Sequence, residues 1–561
     1  MSEILVKNGI IYDPSSKIDG EQKDIAVRDG KIVESVSNNA KIIDASNFLV
    51  LAGGVDIHSH IAGSKVNAGR ILRPEDHYKD PVPKTNLTRA GVGYSVPSIF
   101  VTGYRYSKMG YTTVFEPATP PLKARHTLEE LNDIPLLDKA HYPMFCNNMF
   151  VMEYLAAGKI EECAAYVAWV IEATKGYAIK IVNPGGVEAW GWGKNVTSLD
   201  DQVPHFNITP KEIIRGLCKV NKILNLPHTI HVHPNRLGRP GNYENTIKTM
   251  DCVRDLADGK PVIHMTHIQF EGYGGRDWLS LSSGASEIAK YLNGNNHVTL
   301  DLGQVIFTDT TTMTGDGPFQ YQLHLLSGNK WTNVDVEAES GSGIVPFVYK
   351  KSNYVNAVQW AIGLEVCLLI NDLWKVFLTT DHPNGGPFYA YPKVIAWLMS
   401  KKARDKITSK IPRMARKRTD IESIDRELTF YDIAIITRAA TAKSLNLKQK
   451  GRLDIGADAD IAIYPIKPRE IDPSKDYKRV ITALKNAIYV LKDGEVVVKD
   501  KEINSTPMGR TFWVKPKIET DLLKTVTTEL KTKFKDYYTV EMENYYIKED
   551  YLVNPVALGA E

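Results

Sequence analysis

The residues with the clearest chemical promise lie in Gly53–His60, G-G-V-D-I-H-S-H. Val55, Asp56 and Ile57 read as a strand that runs into two histidines with one residue between them. Alternate side chains of a strand share a face, so His58 and His60 point the same way. Two imidazoles side by side at a strand end form half of a metal site. A pair of core or solvated histidines would look the same in isolation, so the rest of the chain has to decide.

Further groups of the same kind follow apolar or β-branched runs. Lys180 stands in A-I-K-I-V-N-P-G-G, His231 and His233 in H-T-I-H-V-H-P-N, His264 and His267 in H-M-T-H-I-Q-F, and Asp381 in L-T-T-D-H-P-N-G-G-P. Imidazoles with a carboxylate are a ligand set for a first-row ion, and zinc is the usual choice for N/O ligands. Lys180 fits poorly as an ammonium, which an ion repels. As a carbamate formed with CO₂ it is an anion with two oxygens that can bridge two ions. Asp381 can bind an ion and move a proton. Taken alone, Lys180 could be a buried lysine paired with an acid, and Asp381 a turn residue before a proline.

These groups need elements to hold them. From about 52 to 449, strand-like segments (VDIHSH, TTVFEPA, AIKIVNP, HTIHVHP, PVIHMTHI, HVTLDLG, VFLTTDHP) alternate with helix-like ones at 159–174, 208–224, 244–259 and 286–294. Repeated strand-then-helix units predict an α/β fold, a (β/α)₈ TIM-like barrel with insertions. In such a barrel every residue named above converges at the C-terminal mouth of the strands. A doubly wound dinucleotide fold is disfavoured, because no GxGxxG follows a first strand. Inserts at 61–110 and 304–350, rich in Gly, Thr, Tyr and Ser, are expected to build the loops around the site.

Both ends of the chain read as β structure. Residues 2–50 alternate apolar and polar positions around Asn8-Gly9 and Asp29-Gly30, two expected hairpin turns, and 451–500 repeats that texture around Asp493-Gly494. The expected domains are therefore a composite β-sandwich from 1–51 with 450–507, a barrel over 52–449, and a C-terminal helical tail over 508–561, with an amphipathic helix at 521–538.

Composition narrows the class. The chain has 561 residues, 43% of them hydrophobic and 24% charged, and a net charge of +3, so neither disorder nor a polyanionic partner is implied. Five scattered cysteines without a CxxC argue against a disulfide framework, an iron–sulfur cluster or a thiolate zinc site. No apolar run approaches about 18 residues and the N-terminus lacks a signal-peptide core, so a cytoplasmic protein without a membrane span is expected.

The ordered set of HxH, Lys, His, His and Asp resembles the amidohydrolase superfamily, in its binuclear subtype with a carboxylated lysine, such as hydantoinases and dihydroorotases. G-G-V-D-I-H-S-H resembles the first-strand motif of that family, T-D-H-P its last-strand motif, and G-R-L-D-I-G-A-D-A-D-I its return to the terminal β domain. K-N-G-I-I-Y-D-P, V-H-P-N-R-L-G-R-P-G-N-Y, T-H-I-Q-F-E-G-Y-G-G and T-T-D-H-P-N-G-G-P-F further resemble the A-subunit family of formylmethanofuran dehydrogenases, over nearly the whole chain.

That resemblance implies two Zn²⁺ bridged by Lys180 as N6-carboxylysine, with His58, His60, His233, His267 and Asp381 as the other ligands. His231 and His264 are the alternatives to His233 and His267, and Asp381 also serves as acid and base. It implies reversible condensation of formate with the amine of methanofuran to N-formylmethanofuran, a step of CO₂ reduction in methanogenesis. The implied partners are iron–sulfur subunits together with a molybdenum or tungsten pterin subunit. The other readings are the hydrolase component of a bacterial formyltransferase/hydrolase complex, a stand-alone cyclic amidase of hydantoinase type and a non-catalytic scaffold barrel. Asn183, Asn235 and Gln269 are places to look for substrate contacts. His228 is left outside the site.

Overall fold

The structure, a computed structural model, describes residues 3–333 and 343–559. The two ends of the chain share one hydrogen-bonded sheet of nine strands. Leu49–Ala52 stands in its middle. It pairs in parallel with Glu3–Asp13 and antiparallel with Ile461–Tyr464, Ala52 opposite Ile461 and Leu49 opposite Tyr464. All four residues of Leu49–Ala52 are buried, as the apolar run L-V-L-A requires. The packed face includes Ile4, Val6, Ile11, Val50, Ile461 and Ile463.

Two of the three expected turns are turns. Asp29-Gly30 and Asp493-Gly494 have positive φ at both positions and join adjacent antiparallel strands. Asn8-Gly9 is not a hairpin. Glu3–Asp13 runs straight through it, and the register with Ile18–Arg28 slips between Val6 and Gly9. Asn8 adopts φ 59°, a left-handed conformation that serves a β-bulge as well as a turn.

Two five-stranded parallel sheets carry the middle of the chain. One holds Gly54–Asp56, Tyr111–Thr119 and Asp138–Pro143. The other runs Lys180–Val182, Ile230–His233, Ile263–Met265, Val298–Asp301, Val376–Phe377. Parallel bridges link the two sheets, Met144 to Lys180 and Ser59 to His382. All seven expected strand segments contribute a strand. The sequence reading missed Asp138–Pro143, D-K-A-H-Y-P, because its charged start imitates a loop. Both charged groups are buried and satisfied: Asp138 meets Lys450 and Lys492, and Lys139 donates to the Ile134 carbonyl at 2.9 Å.

Helices cover these sheets. Pro210–Leu224 starts in a capping box, Thr209 accepting from the Glu212 amide while the Glu212 carboxylate accepts from the Thr209 amide. Ile213, Ile214, Leu217, Val220 and Leu224 form its buried stripe, each worth about 1.5–3 kcal/mol of apolar burial. The 304–350 insert supplies the antiparallel strands Asp309–Thr314 and Gly343–Val348 and the helix Gly317–Ser327, and its residues 334–342 lie outside the described ones.

The C-terminal segment is more than a helix. Thr511–Lys515 and Pro555–Gly559 add two parallel strands beyond Asp138–Pro143, and Thr520–Tyr538 lies between them in sequence. Phe534 of that helix stacks on Phe150 at 5.8 Å between ring centroids. A buried ion cluster joins the terminal sheet to the parallel one. Lys450 Nζ reaches Asp138, Asp458 at 3.0 Å and Asp460 at 2.7 Å, and Arg510 reaches Asp458 at 2.8 Å.

Candidate metal centre

His58 and His60 follow the strand Gly54–Asp56, and Asp56 shapes the bend between strand and histidines. Its Oδ1 accepts from the His58 amide at 3.0 Å, and its Oδ2 accepts from the hydroxyls of Tyr106 and Tyr391 at 2.7 and 2.5 Å. The two imidazoles then converge on one oxygen. His58 Nε2 is 3.1 Å and His60 Nε2 3.2 Å from Asp381 Oδ1. Ligands about 2.0–2.2 Å from a tetrahedral ion lie roughly 3.3 Å apart, so this spacing suits three ligands of a common ion. Burial opposes ionisation of Asp381, but His58 and His267 outweigh it and hold the carboxyl well below its usual range.

Lys180 opens its strand with a buried amine that has no hydrogen-bond partner. Burial brings this ammonium down to about 8, although Asp301 and Asp381 favour the charge. An orphaned buried amine facing carboxylates fits conversion to an anion that could be coordinated.

His233 and His267 stand on the other side, their rings 4.9 Å apart, with His267 5.4 Å from His58. Ligand atoms of His58, His267 and Asp381 lie within 4.8 Å of one another. His267 sits in the left-handed region at φ 35°, its amide donating to Asp301 Oδ1 at 3.0 Å.

The alternatives lie behind this group. His231 and His264 share a row with Lys180 across three neighbouring strands. The longer lysine can extend beyond that row, whereas the imidazoles stay in it. His231 Nε2 meets His58 Nδ1 at 3.0 Å, and its Nδ1 meets His228 Nε2 at 3.1 Å. His264 lies 3.1 Å from Asp301 and stacks on Phe377. His228, left out in the sequence reading, is thus a support for His231. The groups His228–His231–His264 and His58–His231–Asp301 also bring ligand atoms within 4.8 Å, but mutual ring contacts and Asp301 occupy those atoms.

Four carboxylates back four histidines. Asp301 Oδ2 is 3.2 Å from His58 Nδ1, Glu116 Oε1 3.0 Å from His60 Nδ1, and Asp316 Oδ2 3.1 Å from His233 Nε2. Glu271 Oε1 faces His267 Nδ1 at 3.4 Å, within ion-pair range but without hydrogen-bond alignment. A carboxylate on one ring nitrogen fixes the tautomer and leaves the other nitrogen to meet an ion. Glu116 is held at about 2, against the cost of its burial, by Lys65 and His60, whereas burial pushes Glu271 well above the usual carboxyl range. The sequence reading missed all four. Glu116 and Asp301 carried a signal, an acid inside an apolar strand. Asp316 in G-D-G carried none.

Asn183 and Asn235 join this surrounding layer, Asn235 Nδ2 donating to Asn183 Oδ1 at 2.8 Å and Asn183 Nδ2 to Asp316 Oδ1 at 3.1 Å. Gln269 Oε1 is buried and unpartnered. A pocket includes Asp381 in its lining and is walled by Phe270, Tyr273, Phe319, Phe347 and Tyr349.

Comparison with known proteins agrees with this geometry. Residues 41–498 match the amidohydrolase family. The chain is 55% identical to Protein FwdA of Methanocaldococcus jannaschii, over 98% of this chain and 97% of that one. It is 34% identical to the A subunit of the formyltransferase/hydrolase complex Fhc of Methylorubrum extorquens, over 94% of each. The X-ray crystal structure of that organism's formyltransferase/hydrolase complex FhcABCD with methylofuran contains a chain that superposes with a TM-score of 0.90 at 31% identity, covering 100% of both. Among the described residues no helix is long and apolar enough to cross a membrane.

Proposed function

The chain belongs to the amidohydrolase family, in the A-subunit branch of formylmethanofuran dehydrogenases, and on that footing we propose that its metal centre makes and breaks a formamide. The substrates in this reading are formate and the amine of methanofuran, and the product is N-formylmethanofuran. The chain is the condensing component of a complex whose molybdenum or tungsten pterin and iron–sulfur subunits reduce CO₂ during methanogenesis in the cytoplasm. The eight inner strands with their two linking bridges support a (β/α)₈ barrel over 52–449, and the nine-stranded sheet supports a composite β-sandwich from 1–51 with 450–507, with 508–561 as the C-terminal tail.

The observation that carries the chemistry is Lys180, buried and unpaired beside the converging histidines and Asp381. Its neutral amine adds to CO₂, forming an N–C bond and releasing one proton, and the resulting carbamate supplies two oxygens. His58 and His60, with His233, His267 and Asp381, complete the donor set for two ions. Zinc suits these donors, and when bound it would polarise a carbonyl and acidify a water.

The chain's own groups then handle position and protons. Asp301 and Glu116 hold the imidazoles of His58 and His60 by their Nδ1 atoms. In hydrolysis Asp381 takes a proton as water adds to the formamide carbon. It passes that proton to the departing amine. In synthesis the neutral amine adds to the carbon of formate, Asp381 takes a proton from the attacking nitrogen and delivers it to the formate oxygen, and that oxygen leaves as water with a second proton from solvent. The aromatic walls seat the furan end of the amine and keep bulk water from the reacting carbon.

Metal content of the native chain and of Lys180→Ala, with formylmethanofuran hydrolysis assayed on both, tests this reading. Two zincs in the native chain, with metal and hydrolysis lost together in the variant, are expected. A metal-free native chain, or a variant that keeps both ions and activity, would overturn it. The hydrolase role in a formyltransferase/hydrolase complex uses the same site, but identity of 55% against 34% favours the dehydrogenase setting.

A further inference from the structure

Asp316 belongs to the 304–350 insert, not to an inner strand. It lies between the strand Asp309–Thr314 and the helix Gly317–Ser327, and only 2% of its surface is exposed. Its carboxylate is divided between two tasks. Oδ2 lies 3.1 Å from His233 Nε2. Oδ1 accepts from the Phe319 amide at 3.0 Å, capping the helix, and from Asn183 Nδ2 at 3.1 Å. Asn183 in turn follows the strand that begins with Lys180.

The capped helix is a wall of the pocket. Phe319, Leu323 and Leu326 line the same cavity as Asp381. Within Gly317–Ser327 only Gly317 and Gln320 are buried, so little packing holds the helix in place. Its first-turn amides need an acceptor, and Asp316 supplies one. The same residue receives the Nε2–H of His233, which leaves His233 Nδ1 as the nitrogen free to meet an ion.

We propose that Asp316 is a positioning residue that sets the pocket wall and the metal centre with one side chain, orienting His233 through Oδ2 and anchoring the helix Gly317–Ser327 through Oδ1. The assignment rests on the metal-centre reading given above. It makes the insert a working part of the centre. Movement of the helix reaches His233 directly, and loss of the ion frees the ring that steadies the cap.

Two substitutions in the full chain separate the tasks. In Asp316→Ser the hydroxyl still caps the helix but cannot reach His233. In Asp316→Ala both contacts go. Zinc dissociation constants by chelator competition and amide hydrogen exchange over 317–327 are measured on the native chain and both variants. The expected result is one zinc bound about 10–100-fold more weakly in both variants, with faster exchange in Asp316→Ala and native-like exchange in Asp316→Ser. For formamide hydrolysis, kcat falls in both variants and KM rises only in Asp316→Ala. Unchanged zinc affinity in both variants removes the link to His233, and native-like exchange in Asp316→Ala removes the link to the pocket. Either result overturns the proposal. A native chain that binds no metal overturns the reading of the centre itself.

Discussion

Glu116 Oε1 lies 3.0 Å from His60 Nδ1, and this contact decides which nitrogen of the ring is left for an ion. The Glu116 carboxylate is anchored in turn. Its Oε2 accepts from the amides of Ile61 and Ala62 at 2.8 and 3.2 Å, and Lys65 Nζ stands 3.1 Å from Oε1. Glu116→Gln is therefore expected to keep the fold and weaken one zinc by about 10–100-fold. Chelator competition reads this directly. Native affinity in the variant would show that His60 needs no such partner.

In the proposed mechanism Asp381 combines metal binding with proton transfer, and Asp381→Asn separates these from folding. Asn384 Nδ2 donates to Asp381 Oδ1 at 2.9 Å, a contact the amide oxygen of the variant can replace. Hydrolysis is expected to fall about 10²–10⁴-fold with little change in Tm. Activity within a few-fold of native would move the proton to another group.

Lys139 predicts a pH-dependent stability. Burial pulls its ammonium down to about 7, with Asp138 working the other way. The unfolded chain keeps that proton up to the ordinary value of 10.5. Between those values the native state holds fewer protons than the unfolded one. Stability therefore climbs as pH rises through that window, and the cost of the buried charge is fully present below it. Lys139→Met removes the cost. Its Tm relative to native is expected to be higher near pH ~6 than near pH ~10, and a gap that ignores pH would contradict the assignment.

Lys450 pairs with four mutually repelling aspartates, Asp138, Asp458, Asp460 and Asp493, and shares them with Lys492 and Arg510. Removing one partner of such a cluster leaves uncompensated charge and costs about 3–5 kcal/mol. Lys450→Met should unfold at markedly lower denaturant, and adding Asp460→Asn should restore part of the loss. A second substitution that only lowers stability further would argue against charge as the cause.

The inner strands and the groups at their ends were legible because a polar residue after an apolar run stands out. His58, His60, Lys180 and Asp381 are of that kind. The choice between His231 and His233 is a matter of depth along one strand, which residue type alone does not reveal. Asp138–Pro143 was hidden because Asp138 finds its partners in segments more than 300 residues away (Lys450 and Lys492), which no local pattern reveals. Asp316 was hidden for the same reason, since its two jobs are visible only once the insert folds back. Asn8-Gly9 shows the reverse limit: a strong local turn signal was absorbed by a bulge because the strand around it is held on both edges.

The place of Leu49–Ala52 between both chain ends has a consequence for synthesis. One edge of this strand is filled at once by Glu3–Asp13, but the other waits for Ile461–Tyr464. At about 5–20 residues per second on the ribosome, roughly 20–80 s separate the emergence of the two segments. For that time an all-apolar strand edge is open beside a growing chain. The last fifth of the polypeptide closes it, so a protein truncated before residue 461 carries its own aggregation site.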